Sequence, residues 1–388
     1  MASLGGLAEV LRRFGAAYLA THTLSPGAAK AWRAILACRT AALGGHLECC
    51  ERCGAMRHLY HSCRNRHCPR CQTRAKEAWL AARRREVLPT LYFHLVFTLP
   101  HALNGLIARH PRRLYECLFA AVSRTLCEFA ANPRWLGGAP AFTLVLHTWK
   151  QDLGRHVHVH ALVAGGALTP AGDWVSSKRG FLFPAQALST AFRGKFIAAL
   201  DEERTHVRLR EDTALTPTAW RELKRELYVH DWVVYAKQPL GGAAQVLEYL
   251  GRYTHRVAIS NERILGIGDG GVTFRVRVNG EGGKKRTLRL VGTEFIERFL
   301  QHVLPRGFKR IRHYGLLGPA HKRARLAAAR SALGAPQPQP ALIESVAAFM
   351  QRVAKIEWAV CPHCRGGQFR LLQAIAPEPR WQPVHGPP

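Results

Sequence analysis

Acidic side chains are scarce in this chain. Only 26 Asp and Glu stand against 56 Lys and Arg, a formal net charge of +30 over 388 residues. That deficit points to a polyanionic partner, because each phosphate neutralised by Lys or Arg releases counterions and adds affinity. Long apolar runs are missing too, so no segment reaches bilayer-spanning length, and no long amphipathic basic helix offers a membrane surface as the partner. Met1 to Ala20 has no signal-peptide cleavage pattern; its apolar stretch is broken by Arg12 and Arg13 and reads as an opening helix. A cytoplasmic, nucleoid-associated protein is the expectation. Without an export signal, the 11 cysteines, six of them between Cys49 and Cys71, indicate reduced thiols and metal rather than disulfides. No internal repeat is present, and a hydrophobic content of 47% argues against wholesale disorder.

Residues 1–45 read as helical, with Leu7, Val10, Leu11, Phe14 and Leu19 at helical spacing. A Cys/His-rich module follows at 46–75, then a basic helix at 76–90. Strands are predicted at 91–99, 142–150, 156–164 and 232–236, with a helix at 111–131 that buries Cys117 and Cys127. This alternation predicts an α+β fold built on one sheet. Residues 271–291 read as a hairpin turning at 280–283. The expected division is a helical and zinc-binding DNA-recognition module over 1–85, a catalytic domain over 86–330, a linker over 331–340, and a C-terminal helix with a CxxC and a disordered tail from Pro377 over 341–388.

Three motifs carry chemistry. In the run His156-Val157-His158-Val159-His160, strand alternation sends all three imidazoles to one face and both valines to the other. Imidazoles two residues apart on a rigid strand can share a divalent cation. The knuckles Cys50-x2-Cys53 and Cys68-x2-Cys71, separated by 14 residues, predict one tetrahedral thiolate zinc site, with Cys49, Cys63 and His67 as further candidates. A full thiolate shell leaves no open position, so that zinc is structural. Tyr249 and Tyr253 are four apart and share one face of a helix. Taken alone, such a pair also suits an amphipathic core face.

Together His158-Val159-His160, the tyrosine pair and the cysteine module resemble the IS91-like rolling-circle transposases, whose signature is a histidine–hydrophobe–histidine (HUH) element. The runs Ser62–Gln72, Gly251–Asn261 and Arg310–Gly315 strengthen the likeness, which spans most of residues 30–320. The resemblance implies an HUH-type nuclease domain with a central antiparallel sheet flanked by helices. It further implies that His158 and His160 hold Mg²⁺ or Mn²⁺, and that Tyr249 or Tyr253 attacks single-stranded DNA to leave a 5′-phosphotyrosine. The third metal ligand stays open among His156, Gln151, His147, Gln245 and Glu248, while His94 and His255 read as local hydrogen-bonding residues. Candidate DNA contacts are Arg64, Arg66, Arg70, Lys237, Arg252, Arg310 and Arg312. No P-loop or helicase motif is present, so strand displacement falls to host replication machinery. The competing functions are a rolling-circle replication initiator or relaxase, a non-catalytic zinc-containing DNA-binding regulator, and a metal-dependent nuclease using water. Cys361 and Cys364, a lone knuckle, make half a zinc site.

Overall fold

The computed structural model describes residues 5–178, 180–205, 212–240, 245–246, 248, 251, 257–277, 284–338, 345–354, 357–358 and 360–378. In chain order the elements begin with α1 (Leu7–Leu19), α2 (Pro26–Ala37), β1 (Gly45–Cys50), β2 (Met56–Tyr60), α3 (Gln72–Arg84) and β3 (Tyr92–Thr98). Next come α4 (Asn104–Arg109), α5 (Pro111–Ala131), β4 (Ala139–Trp149), β5 (Arg155–Leu168), β6 (Trp174–Ser176), α6 (Ala185–Thr205), α7 (Pro217–Val229) and β7 (Val234–Leu240). The last are β8 (Ile264–Gly268), β9 (Gly271–Arg277), β10 (Lys285–Val291), α8 (Gly292–Leu300), β11 (Ile311–Gly315), α9 (Lys322–Ala332), α10 (Val346–Ala354) and β12 (Phe369–Ile375).

The fold is α+β, with a central antiparallel sheet ordered β11-β4-β5-β3-β7 and β6 added beside β5. Four of its six strands form where the sequence predicts them, β7 starting two residues late, whereas β6 and β11 were not predicted. Val157 and Val159 of β5 are essentially inaccessible, whereas His156, His158 and His160 are only half-buried. The valine face joins Phe93, Leu95, Phe97, Phe142, Leu144 and Leu146 in the largest core. Over that face lie α5 and α6. Pro111 starts α5 where a missing N–H costs nothing, and Leu114, Leu118, Val122 and Leu126 form its buried stripe.

The histidine face is divided along its length. Toward one end Tyr92, Ala141, Leu162 and Ala164 are covered by Leu80 of α3, Leu326 and Ala329 of α9, and Val246. Toward the other end the same face carries the histidines.

The four strands expected in one sheet do share it, and among the described residues two further three-stranded sheets stand beside it. The 271–291 hairpin forms as β9 and β10, pairing from Gly271↔Val291 to Arg277↔Lys285, but it joins β8 in a separate sheet. Its residues are apolar on one side only, and Val272, Phe274 and Val276 pack with α1, α2 and α8 in a second core that includes Leu7, Val10 and Leu11. Leu19, counted with those positions in the sequence, is exposed at the end of α1. The third sheet is β12-β1-β2. A strand of the C-terminal region, expected to be a helix and tail, therefore completes the sheet of the N-terminal cysteine module. Residues 379–388, most of the expected disordered tail, and the hairpin's turn at 280–283 lie outside the described residues.

Candidate active site and metal centres

On the histidine face, His147 of β4 stands directly opposite His158 of β5, and the two strands break register between His147 and Trp149. Bulges of this kind re-aim side chains beside active sites. His158 Nε2 lies 3.2 Å from His160 Nε2, which lies 3.0 Å from His147 Nδ1. Two imidazole nitrogens bound at about 2.0–2.1 Å to neighbouring positions of one ion lie roughly 3.0–3.4 Å apart, so the spacing suits a shared cation. His147, His158 and His160 form a potential metal-holding group.

The rings are oriented from behind. His158 Nδ1 sits 3.0 Å from the His156 carbonyl oxygen. A carbonyl only accepts, so Nδ1 carries the proton and Nε2 presents its lone pair to the site. His160 Nδ1 lies 2.8 Å from Nε2 of His94, a buried residue of β3. With His160 donating there, its Nε2 presents a lone pair toward His147 and His158. Ligating histidines are held by such outer partners, which set tautomer and basicity. Sequence reasoning placed His94 in a local hydrogen bond; the structure makes that bond one to His160.

His156, the first candidate for third ligand, is not part of the metal-holding group, although its ring centre lies 5.0 Å from that of His158. Its Nδ1 lies 3.2 Å from His101 Nε2, and burial, with His101 and Lys150 nearby, pushes its pKa down. Of the residues left open for that role, His147 converges with His158 and His160. Tyr249 and Tyr253 lie outside the described residues, as do Arg252, His255 and the side chain of Lys237. Their neighbours can be placed: Val246 is fully buried in the cluster that contains Leu162, and the α-carbon of Gly251 faces α3, where an added Cβ would meet Leu80 at 3.1 Å.

The cysteines sort into two groups of four, Cys38-Cys63-Cys68-Cys71 and Cys50-Cys53-Cys361-Cys364. The expected site of Cys50, Cys53, Cys68 and Cys71 is therefore corrected. Cys50 and Cys53 flank the turn of the β1–β2 hairpin, whereas Cys63, Cys68 and Cys71 follow its open end. Five to six strand residues at about 3.3 Å each separate the knuckles by roughly 17 Å, far beyond the reach of one ion. At the open end the Arg39 N–H donates to the His61 carbonyl at 3.0 Å, bringing the end of α2 beside the chain leaving β2. Cys38 Sγ thereby lies 3.3 Å from Cys71 Sγ, and Cys63 Sγ lies 3.6 Å from that same Cys71 sulfur. Cys38 was not foreseen as a ligand. Cys63 joins as one of the alternatives, while Cys49 and His67 belong to neither group. Burial, with Arg310 and Arg66 nearby, pushes His67 down to about 3 and holds its ring neutral.

The proposed DNA-contacting arginines divide. Arg64 is exposed; Arg66 donates to the Phe308 carbonyl and Arg70 to that of Cys38. Arg312 packs its guanidinium 4.2 Å from the Phe119 ring centre. Arg310 is 8% exposed, with its pKa pushed down to about 10 by burial and by Arg66. Though buried, it is also a lining residue of a cleft, beside Arg64, Arg66 and Arg70. This cleft, lined in part by Tyr60, Arg64, Arg66, Arg70, Trp79 and Trp358, runs between the cysteine module and β11. Among the described residues, no helix is long and apolar enough to cross a membrane.

Comparison with known proteins finds transposases. Residues 10–99 match the family profile described as a transposase zinc-binding domain, and residues 141–325 one described as a putative transposase. The putative transposase y4qJ of Sinorhizobium fredii is 42% identical, covering 98% of this chain and 97% of the relative. The transposase for insertion sequence element IS801 of Pseudomonas savastanoi pv. phaseolicola is 27% identical, over 73% of this chain and 68% of the relative. A solved structure of the conjugative relaxase TrwC with mutant OriT DNA shares 13% identity over 63% of this chain and 75% of that one. Its TM-score is 0.24, too low for any argument from its fold.

Proposed function

The chain belongs to the IS91-like transposase family, and on that premise we propose that it nicks and rejoins single-stranded DNA through a covalent phosphotyrosine in rolling-circle transposition. The observation that carries this reading is the convergence of His147, His158 and His160 on one face of the central sheet. Val246, three residues before Tyr249, is buried on that same face. A divalent cation such as Mg²⁺ or Mn²⁺, held by the three imidazoles, would supply the positive charge that polarises a scissile phosphate.

The remaining work falls to the chain. A phenol with a free pKa of about 10 is a poor nucleophile until the phosphate is polarised. The oxygen of Tyr249 or Tyr253 forms a bond to phosphorus as the bond to the 3′ oxygen breaks, leaving a 3′ hydroxyl and a 5′-phosphotyrosine. Rejoining reverses the exchange, so no ATP is consumed. A second tyrosine four residues away takes the other strand end. The excess of Lys and Arg holds the polyanion, and the zinc-binding module recognises the element ends. The host supplies strand displacement, and the protein works in the cytoplasm on the nucleoid.

The test is incubation with single-stranded DNA carrying the element ends and Mn²⁺. An SDS-resistant protein–DNA adduct is expected, and peptide mapping of it names the attacking tyrosine. Its absence with every such substrate refutes the reading. Cleavage that survives replacement of both tyrosines by Phe replaces it with a water nucleophile.

A further inference from the structure

We propose that Cys50, Cys53, Cys361 and Cys364 bind a second zinc ion, which clasps the C-terminal segment onto the N-terminal module. The matched zinc-binding region ends at residue 99, so half of this site lies far outside it. Cys50 Sγ is 3.7 Å from Cys364 Sγ, and Cys53 Sγ is 3.8 Å from Cys361 Sγ. Four sulfurs at about 2.3 Å from one tetrahedral ion lie about 3.8 Å apart. A disulfide would instead bring them to about 2.05 Å, and all 11 cysteines are free.

The two halves are built alike. In the first, the Gly54 N–H donates to the Cys50 carbonyl at 3.0 Å; in the second, the Arg365 N–H donates to the Cys361 carbonyl at 2.9 Å. Gly54 and Arg365 both have positive φ, 71° and 54°. Each CxxC is thus folded into the same tight knuckle, closed by a left-handed residue after its second cysteine. Gly367 completes the cradle. Its N–H donates to Cys364 Sγ at 3.3 Å, and a Cβ there would collide with Cys50 Sγ. A backbone donor aimed at sulfur is the arrangement a thiolate needs.

The surroundings show what the clasp does. From Gly367 the chain runs into β12, which pairs with β1 from Cys50↔Phe369 to Gly45↔Ile375. Arg57 of β2 donates to the Trp358 carbonyl at 3.2 Å, and its guanidinium lies 3.7 Å from the Phe369 ring centre. Trp358 and Phe349 are lining residues of the cleft that also contains Arg64, Arg66 and Arg70. The ion therefore fixes one wall of this arginine-lined groove beside the cysteine module. Closing a loop of some three hundred residues is where a crosslink restrains the unfolded chain most.

Metal counting by elemental analysis of the full chain tests this. The wild type should carry two zinc ions. Cys361→Ser with Cys364→Ser should carry one, Cys50→Ser with Cys53→Ser one, and all four substitutions together still one, because both pairs serve the same ion. The ion kept by Cys38, Cys63, Cys68 and Cys71 reports that the module has folded. Gly367→Ala keeps all eight thiols, so it checks the geometry independently. It should release one of its two ions at a lower chelator concentration, and trypsin should then free the segment after Arg352 sooner. One ion in the wild type, two in the Cys361/Cys364 variant, or parallel release of both ions from wild type and Gly367→Ala would overturn the clasp. None of these outcomes bears on DNA nicking, so this inference fails or stands apart from the catalytic reading.

Discussion

Replacing His94 by Leu tests whether the imidazoles on β5 hold a metal. His94 is 2% exposed and touches the site through its Nε2, 2.8 Å from His160 Nδ1. Leu fills similar space and cannot accept the bond, so His160 loses the group that orients its ring. Loss of such an outer partner typically costs 10–100-fold in metal affinity, about 1.4–2.7 kcal/mol. The assay is adduct formation against Mn²⁺ concentration, beside direct Mn²⁺ binding by calorimetry. His94→Leu should need about 10–100-fold more Mn²⁺ for half-maximal adduct and reach nearly the wild-type plateau, since the nucleophile is untouched. His94→Gln, whose amide oxygen can accept the same hydrogen bond, should recover much of the loss. An unchanged metal requirement refutes the reasoning. So does a fallen plateau at unchanged half-saturation, which would make His94 part of the chemistry rather than of the metal's support.

Four other substitutions separate the roles of individual residues. His147→Ala removes a ligand outright and should raise the Mn²⁺ requirement further than His94→Leu, whereas His156→Ala, whose ring faces His101, should leave it near wild type; Mn²⁺ titration of adduct yield decides. Arg64→Ala should weaken DNA binding across sequences and lower the slope of log K against log salt by about 1, as for one lost phosphate contact. Arg310→Met should leave that slope unchanged and lower the denaturant midpoint, by roughly 1–3 kcal/mol of stability, because Arg310 is buried.

Strand positions were legible because their cause is local. Val157 and Val159 alternate with the histidines, and that period alone assigns the faces. The same holds for α5, whose apolar stripe and Pro111 need no distant partner. The cysteine pairing was not legible, because spacing says which two thiols form a knuckle but not which knuckles meet. Here the hairpin puts the two nearby knuckles at opposite ends. The thiols that meet them, Cys38 with Cys63 and the pair Cys361 and Cys364, come from the end of α2, from the chain after β2 and from a segment some three hundred residues on. Such contacts are set by tertiary packing. The hairpin's place in a separate sheet was hidden for a related reason: alternation reveals a strand and its buried side, not which core that side joins.

The third histidine turns on one residue of register. Next to the β4–β5 turn Trp149 pairs with Arg155, a register that, extended without a break, would place His147 opposite Val157 and send it to the wrong face. The shift between His147 and Trp149 instead sets it opposite His158. Thr148, at that shift, is 1% exposed, and its hydroxyl donates to Nδ1 of buried His302 at 3.1 Å. The other nitrogen, Nε2–H, donates to the Leu153 carbonyl in the turn at 2.8 Å. His302 thus ties the bulge to the turn, and it can accept from Thr148 only while neutral. Burial pushes its pKa down to about 4, against the raising effect of the Leu153 bond. In the unfolded chain it would titrate near 6.5. A base whose folded pKa lies lower contributes stability that is present above the unfolded value and is lost as pH falls from about 6.5 to about 4, at most about 3 kcal/mol. His302→Asn removes that proton uptake. Its denaturation midpoint should therefore fall less between pH 6.5 and pH 4 than the wild type's, and at pH 7.5 it should need more Mn²⁺ for nicking because the bulge is held less firmly. Equal pH slopes in the two proteins would refute the neutral His302, and an unchanged Mn²⁺ requirement would refute its hold on His147.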